Sequence, residues 1–351
     1  MLITQPKLTE FAKQIFIGLG TEPDRALEVA DHLVEANLKG HDSHGVGMIP
    51  SYVGSAVNNR LQVNADAETV KDKGAVLLVD GRLGFGQVVG RQATDLGIAR
   101  ARELGVACVG SRNNHHLGRI GTYGEHCARA GLVSIHFVNV VGHPPFVSPW
   151  GGRDGRMQTN PFCCAVPTDG EPIVLDMATS AIALGKVRVA RMKGVPVPDG
   201  ALFDAEGVPT NDPMAIGNGG TLGPFGQHKG YGLALVCELL GGALAGEWTM
   251  SDIPKQENYT VNNMLMFVID PDLFGGAGGF RREVEGMAAW LRSSRPAKGF
   301  DKVRLPGEPE RESMAERLAE GIPVDDQSWA GICDAARRAG MSDGDISELT
   351  T

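Results

Sequence analysis

The chain is 351 residues long, 42% hydrophobic and 21% charged, with a formal net charge of −9. That length suits about two domains or one large α/β body, and the composition is that of a folded globular protein, not of a disordered one. An acidic balance with no block of Lys or Arg argues against nucleic acid or an anionic membrane surface as partner.

The longest apolar run, residues 235–245, is interrupted by Glu238 and glycines and falls short of the ~20 residues that a bilayer span requires. Residues 1–7 lack the basic and apolar regions of a secretion signal. The cysteines at 108, 127, 163, 164, 237 and 333 contain no C-x-x-C pair, so reduced thiols and a cytoplasmic location are expected.

In chain order, residues 8–18 and 22–38 read as amphipathic helices. Ala26, Val29, Ala30, Leu33, Val34 and Leu38 recur at helical spacing with Asp24, Arg25, Asp31 and Glu35 between them. Lys39-Gly40 stops the second helix and releases His41-Asp42-Ser43-His44-Gly45. This loop either holds its histidines by chance or forms part of a site.

Residues 75–80 read as a strand, followed by Gly84-Phe85-Gly86-Gln87-Val88-Val89-Gly90 and a helix to Leu104. The glycines imitate a dinucleotide fingerprint, but their spacing is G-x-G-x-x-x-G. The acidic residue about twenty positions on, Glu103, falls at a helix end, where the fingerprint needs it at the end of a strand. A glycine turn packing a helix on a sheet fits better.

Residues 105–110 form the next strand candidate, and then comes the densest polar stretch in the chain, Asn113-Asn114-His115-His116-Leu117-Gly118-Arg119-Ile120. A helix over 123–130 and a strand over 132–138 follow. Histidine exchanges protons near neutrality, with an unperturbed pKa of about 6.5. Two at a strand end therefore either cap a turn or make a proton-transfer site.

Residues 140–161 are rich in Gly and Pro and read as a long functional loop. The strand at 173–176 ends on Asp176. A helix is expected to start at Met177-Ala178-Thr179-Ser180 and run through Lys186 and Arg188, its first turn offering backbone donors to phosphate. Residues 195–213 read as a surface excursion, and Gly226-Gln227-His228-Lys229-Gly230-Tyr231-Gly232 opens a helix over 233–243, with either a solvated lysine or an anion site. A strand at 263–269, a turn at 305–308 and short helices at 314–318, 329–339 and 343–349 complete the chain.

Taken together, His41-Asp42-Ser43-His44-Gly45, Asn113 to Gly118, Gly151-Gly152-Arg153 with Thr159-Asn160-Pro161, Leu175-Asp176-Met177-Ala178-Thr179-Ser180, and His228-Lys229-Gly230-Tyr231-Gly232-Leu233 resemble the type-2 malate/L-lactate dehydrogenase family. That family also holds L-sulfolactate and ureidoglycolate dehydrogenases. His41 to Tyr52, Gly118-Arg119-Ile120-Gly121, Ser134-Ile135-His136-Phe137 and Leu305-Pro306-Gly307-Glu308 resemble its hydroxycarboxylate dehydrogenase B group most. Five motifs in one order along the whole chain make coincidence improbable.

The resemblance implies an α/β, non-Rossmann nicotinamide-dinucleotide-binding fold with a mixed sheet and a helical layer built from the N- and C-terminal segments. The expected division is a helical segment at 1–75, a central cofactor-binding and catalytic domain at 76–290, and a C-terminal helical segment at 291–351. It implies a homodimer with NAD or NADP as cofactor and a small 2-oxo or 2-hydroxy acid as substrate. It suggests His116 as the proton donor and acceptor, supported by His44 and Asp176. Cofactor contacts carried over by position are His44, Gly118, Arg119, Ile120, Val174, Leu175, Asp176, Met177, Ala178, His228, Asn262, Gly307, Glu308, Pro309 and Glu310. Substrate contacts are Ser43, Met48, Arg119 and Asn160. Many relatives carry an arginine where Met48 stands, so Arg119 or another cation is expected to take the substrate carboxylate in a pocket that tolerates apolar acids.

The chemistry asks for these residue types. Hydride arriving at a ketone carbon leaves charge on oxygen, and a protonated imidazole can neutralise it, a contribution of roughly 10²–10⁴ in rate. A nearby carboxylate favours the charged ring. A reductase of cyclic imines would share the resemblance and use the same geometry. A metal-binding or structural role for the histidines has only His41-x-x-His44 to support it, with no further ligand at finger-like distance, and no metal is expected.

Overall fold

The computed structural model describes residues 1–251 and 259–350. Its main sheet has seven strands: β1 (Glu68–Lys73), β2 (Val76–Asp80), β3 (Val106–His115), β4 (Val133–Val141), β5 (Phe162–Val166), β6 (Ile173–Met177) and β7 (Val261–Ile269). Their spatial order is β1-β2-β3-β7-β4-β5-β6. Val261 to Met266 are buried without interruption, as a strand covered on both faces must be, and β7 duly lies in the middle. At one edge, β1 carries Glu68, Lys71, Asp72 and Lys73 and is exposed throughout; such charges discourage a foreign strand from pairing there. The sheet is mixed. Only β2 and β3 run parallel, joined by the crossover helix Gly86–Leu104, and every other neighbouring pair is antiparallel.

Helices α1 (Gln5–Gly18), α2 (Pro23–Leu38) and α3 (Ile49–Val57) pack with the C-terminal helices Asp326–Arg338 and Asp343–Thr350 around one core that includes Phe11, Phe16, Leu33, Tyr52, Ile332 and Ala336. A two-residue ribbon, Leu2–Ile3 against Ile322–Pro323, ties the two ends together. A second core, with Val109, Leu117, Tyr123, Val138 and Met266, lies against the sheet. The third gathers Val147, Val187, Leu202, Leu222 and Ala234. It draws in part of the 195–213 excursion, which is packed and paired (Leu202–Phe203 with Pro209–Thr210 and with Thr221–Leu222) and not bare surface.

Other expectations are corrected. No helix starts at Met177: β6 runs through it and helix begins only at Leu184. The intervening backbone is held in extended contacts, with Thr179 N–H donating to Thr159 O (2.9 Å) and Ala181 N–H to Gly223 O (2.8 Å), so these donors are not free for phosphate. The helix opened by His228 is α-helical to Cys237 and π-helical over Glu238–Gly246, where Glu238 turns into a buried amide network. The α3 helix, β1, β5 and the helix Ala277–Arg292 had no clear signal in the sequence. No helix among the described residues is long and apolar enough to cross a membrane.

Candidate active site

Strand β3 does not stop at Gly110 but continues through the asparagines to His115. It does so over a bulge: Asn262 faces Asn114 while Met264 faces Ser111, so two residues of β3 oppose one of β7. Asn113 takes the left-handed backbone conformation this needs, with φ 52°. Its N–H donates to Asn263 Oδ1 (2.9 Å) and its amide to Asp80 (2.9 Å). Asparagine tolerates such a φ and supplies the side-chain bonds that replace the broken ladder. The bulge re-aims the chain so that His116 leaves the sheet at its edge.

Two further hydrogen bonds hold the histidine segment. Asn262 Oδ1 accepts from Leu117 N–H (2.8 Å), and Tyr123 Oη donates to Leu117 O (2.6 Å). The glycines that imitate a dinucleotide fingerprint serve the same end. A Cβ on Gly86 would stand 2.3 Å from His116 O, and one on Gly90 2.7 Å from Leu117 Cδ2. Only glycine lets that helix approach so closely.

The partner loop comes from the helical layer. Asn37, near the end of α2, donates to Asp42 Oδ1 (2.7 Å) and accepts from Val46 N–H (2.8 Å), while Arg317 grips both oxygens of Asp42 (2.6 and 3.1 Å). Ser43 Oγ lies 2.9 Å from His44 Nδ1. The loop thus delivers His44 onto His116, with ring centroids 5.6 Å apart and planes 19° from parallel. Beneath them, Tyr52 Oη lies 2.7 Å from His116 Nδ1 and accepts from Gln87 Nε2 (2.8 Å).

Asp176 accepts from Gly121 N–H (2.8 Å) and lies 3.5 Å from Arg119 Nε. Among the described hydrogen bonds none joins it to His44. Arg119 is committed elsewhere: its guanidinium is buried and bonds Glu125 (2.7 Å), which in turn bonds Lys39 (2.5 Å). Burial alone would push the Glu125 carboxyl up, but Arg119 and Lys39 outweigh it and hold it down to about 2. Arg119 Nη1 is thus spent on Glu125, while its Nε is buried without a hydrogen bond beside Asp176. Met48 packs against the helical core. Asn160 is fully buried, its amide bonded to Glu238 (2.7 Å) and Ala234 O (3.2 Å), so it braces the frame. Asn262, expected to touch cofactor, spends its side chain on Leu117 and Asn139.

Six of the other expected contacts converge. Val174, Leu175 and Asp176 of β6 and Gly307, Pro309 and Glu310 line one cleft of about 330 Å³, together with Arg304, Leu305 and Pro306. Val174 N–H donates to Pro306 O (3.1 Å), which fixes the two segments side by side. Glu310 lies 3.3 Å from His41 Nε2 and so links this cleft to the histidine loop. Gly118 turns the chain after His116 at φ 72°, and Ile120 is buried. Met177 and Ala178 continue the β6 edge, half-buried, while Glu308 accepts from Leu305 N–H (2.8 Å) and Arg292 (2.6 Å). His228 is exposed at the first residue of its helix and is not among the cleft residues. Among the described residues no group of three or more His, Cys, Asp or Glu is placed to hold a metal ion.

Tyr52, which touches the His116 ring, and Gln87, which bonds the Tyr52 hydroxyl, were not singled out from the sequence. Tyr52 lies on a helix that left no periodic signal, and Gln87 sits inside the misleading glycine motif. A search for buried polar side chains flanking the glycines could have found the second.

The rings are neutral at rest. Burial lowers His44 to about 4; Asp176 works against this, while His41 and Arg119 add to it. Burial, then the neighbouring His44 and His115, hold His116 well below 6.5. Burial likewise depresses His32 and His115 to about 3 and His136 to about 4. The unfolded chain binds protons near pH 6.5 that these folded rings refuse, so stability falls as pH drops from about 6.5 towards 4. Thermal unfolding followed across pH 8 to 4.5 should show a Tm that declines most steeply below 6.5; a flat Tm would contradict the buried, neutral assignment.

Comparison with known proteins agrees with this geometry. Residues 3–333 match the malate/L-lactate dehydrogenase family model. The chain is 49% identical to hydroxycarboxylate dehydrogenase B of Escherichia coli (strain K12) over 95% of its own length and 93% of that protein's. The sulfolactate dehydrogenase of Methanocaldococcus jannaschii superposes with a TM-score of 0.88 at 31% identity, over 98% of this chain and 99% of the other. The delta1-piperideine-2-carboxylate reductase of Pseudomonas syringae pvar. tomato gives 0.80 at 33% identity, over 95% and 99%.

Proposed function

The chain belongs to the malate/L-lactate dehydrogenase family, and from that premise we propose that it is a nicotinamide-dependent 2-hydroxycarboxylate dehydrogenase in which His116 moves the proton. The observation that carries this reading is the stack of His116 on His44, linked through His41 and Glu310 to the cleft lined by Val174 to Asp176 and by residues 304–307, 309 and 310.

The cleft suits the cofactor. Its volume falls in the range of small-molecule pockets, and Gly307, at φ 94°, opens the helix Glu308–Glu320. Val174 to Ala178 and Gly307 to Glu310 would hold the dinucleotide, in a sheet unlike the doubly wound parallel one. Bound there, the nicotinamide supplies or accepts a hydride at the substrate's C2. The carboxylates of Asp176 and Glu310 line this cleft, and its Arg304 is already held by Asp301 and Glu312. Such a lining favours a ribose diol over a 2′-phosphate, so NAD is the preferred form.

His116 stays neutral until an anionic 2-oxo acid enters. The substrate's negative charge then favours protonation of the ring, and the ring neutralises the oxygen of the reduced product. In oxidation the neutral ring accepts the hydroxyl proton directly. His44 covers one face of that ring and Ser43 orients His44. His116→Ala should lower kcat by roughly 10²–10⁴, while NADH binding, followed by fluorescence, persists and stays tighter than NADPH binding. Near-normal turnover would move the role to His44.

At Met48, where the family resemblance implies an arginine, an apolar thioether packs against the helical core, and its lack of charge favours small apolar 2-oxo acids over dicarboxylates. Met48→Arg should raise kcat/KM for a dicarboxylic 2-oxo acid relative to an apolar one by tenfold or more, about the worth of one charge-assisted hydrogen bond. An unchanged ratio in steady-state assays would remove the idea. The likeness to the piperideine-carboxylate reductase supports a second reading, reduction of cyclic imines; the same assay with a cyclic imine separates the two.

Leu184, Val189, Met192 and Val195 are exposed together on and just after the Leu184–Lys193 helix. A homodimer would cover such a patch. Sedimentation equilibrium should return twice the chain mass of 37.2 kDa; a monomer at micromolar concentration would refute it.

A further inference from the structure

We propose that His41 is a positioning residue: through it the helix Glu308–Glu320 holds the His44 loop in register with the dinucleotide cleft. The inference rests on the reading that places the cofactor in that cleft. The helix follows directly on Gly307, which lines the cleft, and its 13 residues extend about 20 Å. Glu310, Ser313 and Arg317 are spaced three and four apart and so share one face of it. That face meets the loop at three points. Ser313 Oγ donates to Leu38 O (3.0 Å), Arg317 donates to Asn37 O and to both oxygens of Asp42 (2.6 and 3.1 Å), and Glu310 Oε1 lies 3.3 Å from His41 Nε2. Gly40, at φ 79°, lets the chain pass this close, since a Cβ there would stand 3.2 Å from Ser313 Oγ.

The three ties are not equivalent. Ser313 and Arg317 grip residues 37, 38 and 42 from farther along the helix, whereas Glu310 also lines the cleft. Among the described hydrogen bonds and ion pairs, its bond to His41 is the only link between residues 41–48 and the cleft-lining residues. Burial alone would raise the Glu310 carboxyl, but the bond from His41, its own backbone N–H and the charge of Arg119 hold it below the ordinary value. It is therefore ionised near neutrality and only accepts, so His41 Nε2 carries the hydrogen. From His41 the path to the catalytic imidazole is short. Its carbonyl accepts from His44 N–H (2.9 Å), closing the 3₁₀ turn Asp42–His44 from which the His44 ring projects. A misplacement of about 1 Å, even far from the reacting atoms, can cost roughly 10²-fold in rate. A single tie from cleft to loop is thus where the spacing between cofactor and imidazole is set.

The test is amide hydrogen exchange of the full chain, with and without NADH and in the absence of substrate. In the wild type, NADH should slow exchange about tenfold both at the start of the helix, residues 307–312, and in the loop, residues 41–46. In His41→Leu it should slow only the helix, while β7 exchanges as in the wild type and so reports an intact fold. His41→Gln, whose amide can donate where Nε2 does, should restore the response of the loop. In parallel, kcat/KM for the 2-oxo acid should fall about tenfold in His41→Leu, the loss of one charge-assisted hydrogen bond, and recover in His41→Gln. Loop protection by NADH that persists in His41→Leu, or a wild-type loop that NADH leaves unprotected while the helix responds, would overturn the proposal. NADH that binds without slowing exchange at residues 307–312 would instead refute the placement of the cofactor in this cleft.

Discussion

The stacked imidazoles of His44 and His116 exist only because two separately built halves of the molecule are pressed together. One ring belongs to a loop of the helical layer, the other to the end of a sheet strand. Nothing in either segment alone would bring the rings to 5.6 Å. The helical core that joins residues near both chain ends presents the first, and the bulge opposite Asn262 presents the second. Tyr52 belongs to both: its ring fills the helical core and its hydroxyl reaches His116. Packing and chemistry share one residue there.

Desolvation sets the electrostatic character of the site. Isolated, either histidine would be partly charged near neutrality, but surrounded by other imidazoles and by apolar rings both are held neutral. A neutral resting site is ready to take a proton from a hydroxy acid, and becomes a donor when the substrate brings its own negative charge. The charges that are buried, Arg119, Glu125 and Lys39, compensate one another a few ångströms away and anchor Asp176 at the edge of the cleft. Removing one partner from such a cluster costs more than the pair contributes, so it acts as a frame.

Much of the fold was legible because periodicity reports burial. The helices at 5–18 and 23–38, the strands at 76–80, 133–141 and 261–269, and the last two helices announce themselves through the spacing of apolar residues. The elements without a clear signal share a reason. Strand β1 is an exposed charged edge, and α3 starts from an Ile-Pro step that reads as a break. At Thr179 and Ser180, tertiary contacts to Thr159 and Gly223 override a sequence that locally looks like a helix start. The candidate site was partly legible. Residues 174–176 line one cleft with Gly307, Pro309 and Glu310, and His44 stacks on His116. Asn160, Asn262 and Arg119 have the right chemistry for ligand contact, yet their bonds go to the frame.

By itself, then, the sequence determined the composition class, the amphipathic helices and the places where proton chemistry and glycine turns are concentrated, because these depend on residue type and local spacing. Only the tertiary structure decided which polar side chains face the cleft and which are consumed as braces, that the fingerprint-like glycines serve close packing of backbone on His116, and that both histidines rest uncharged. Each of those depends on what lies across the fold: a hydrogen-bond partner, a Cβ that cannot fit, or water that has been excluded.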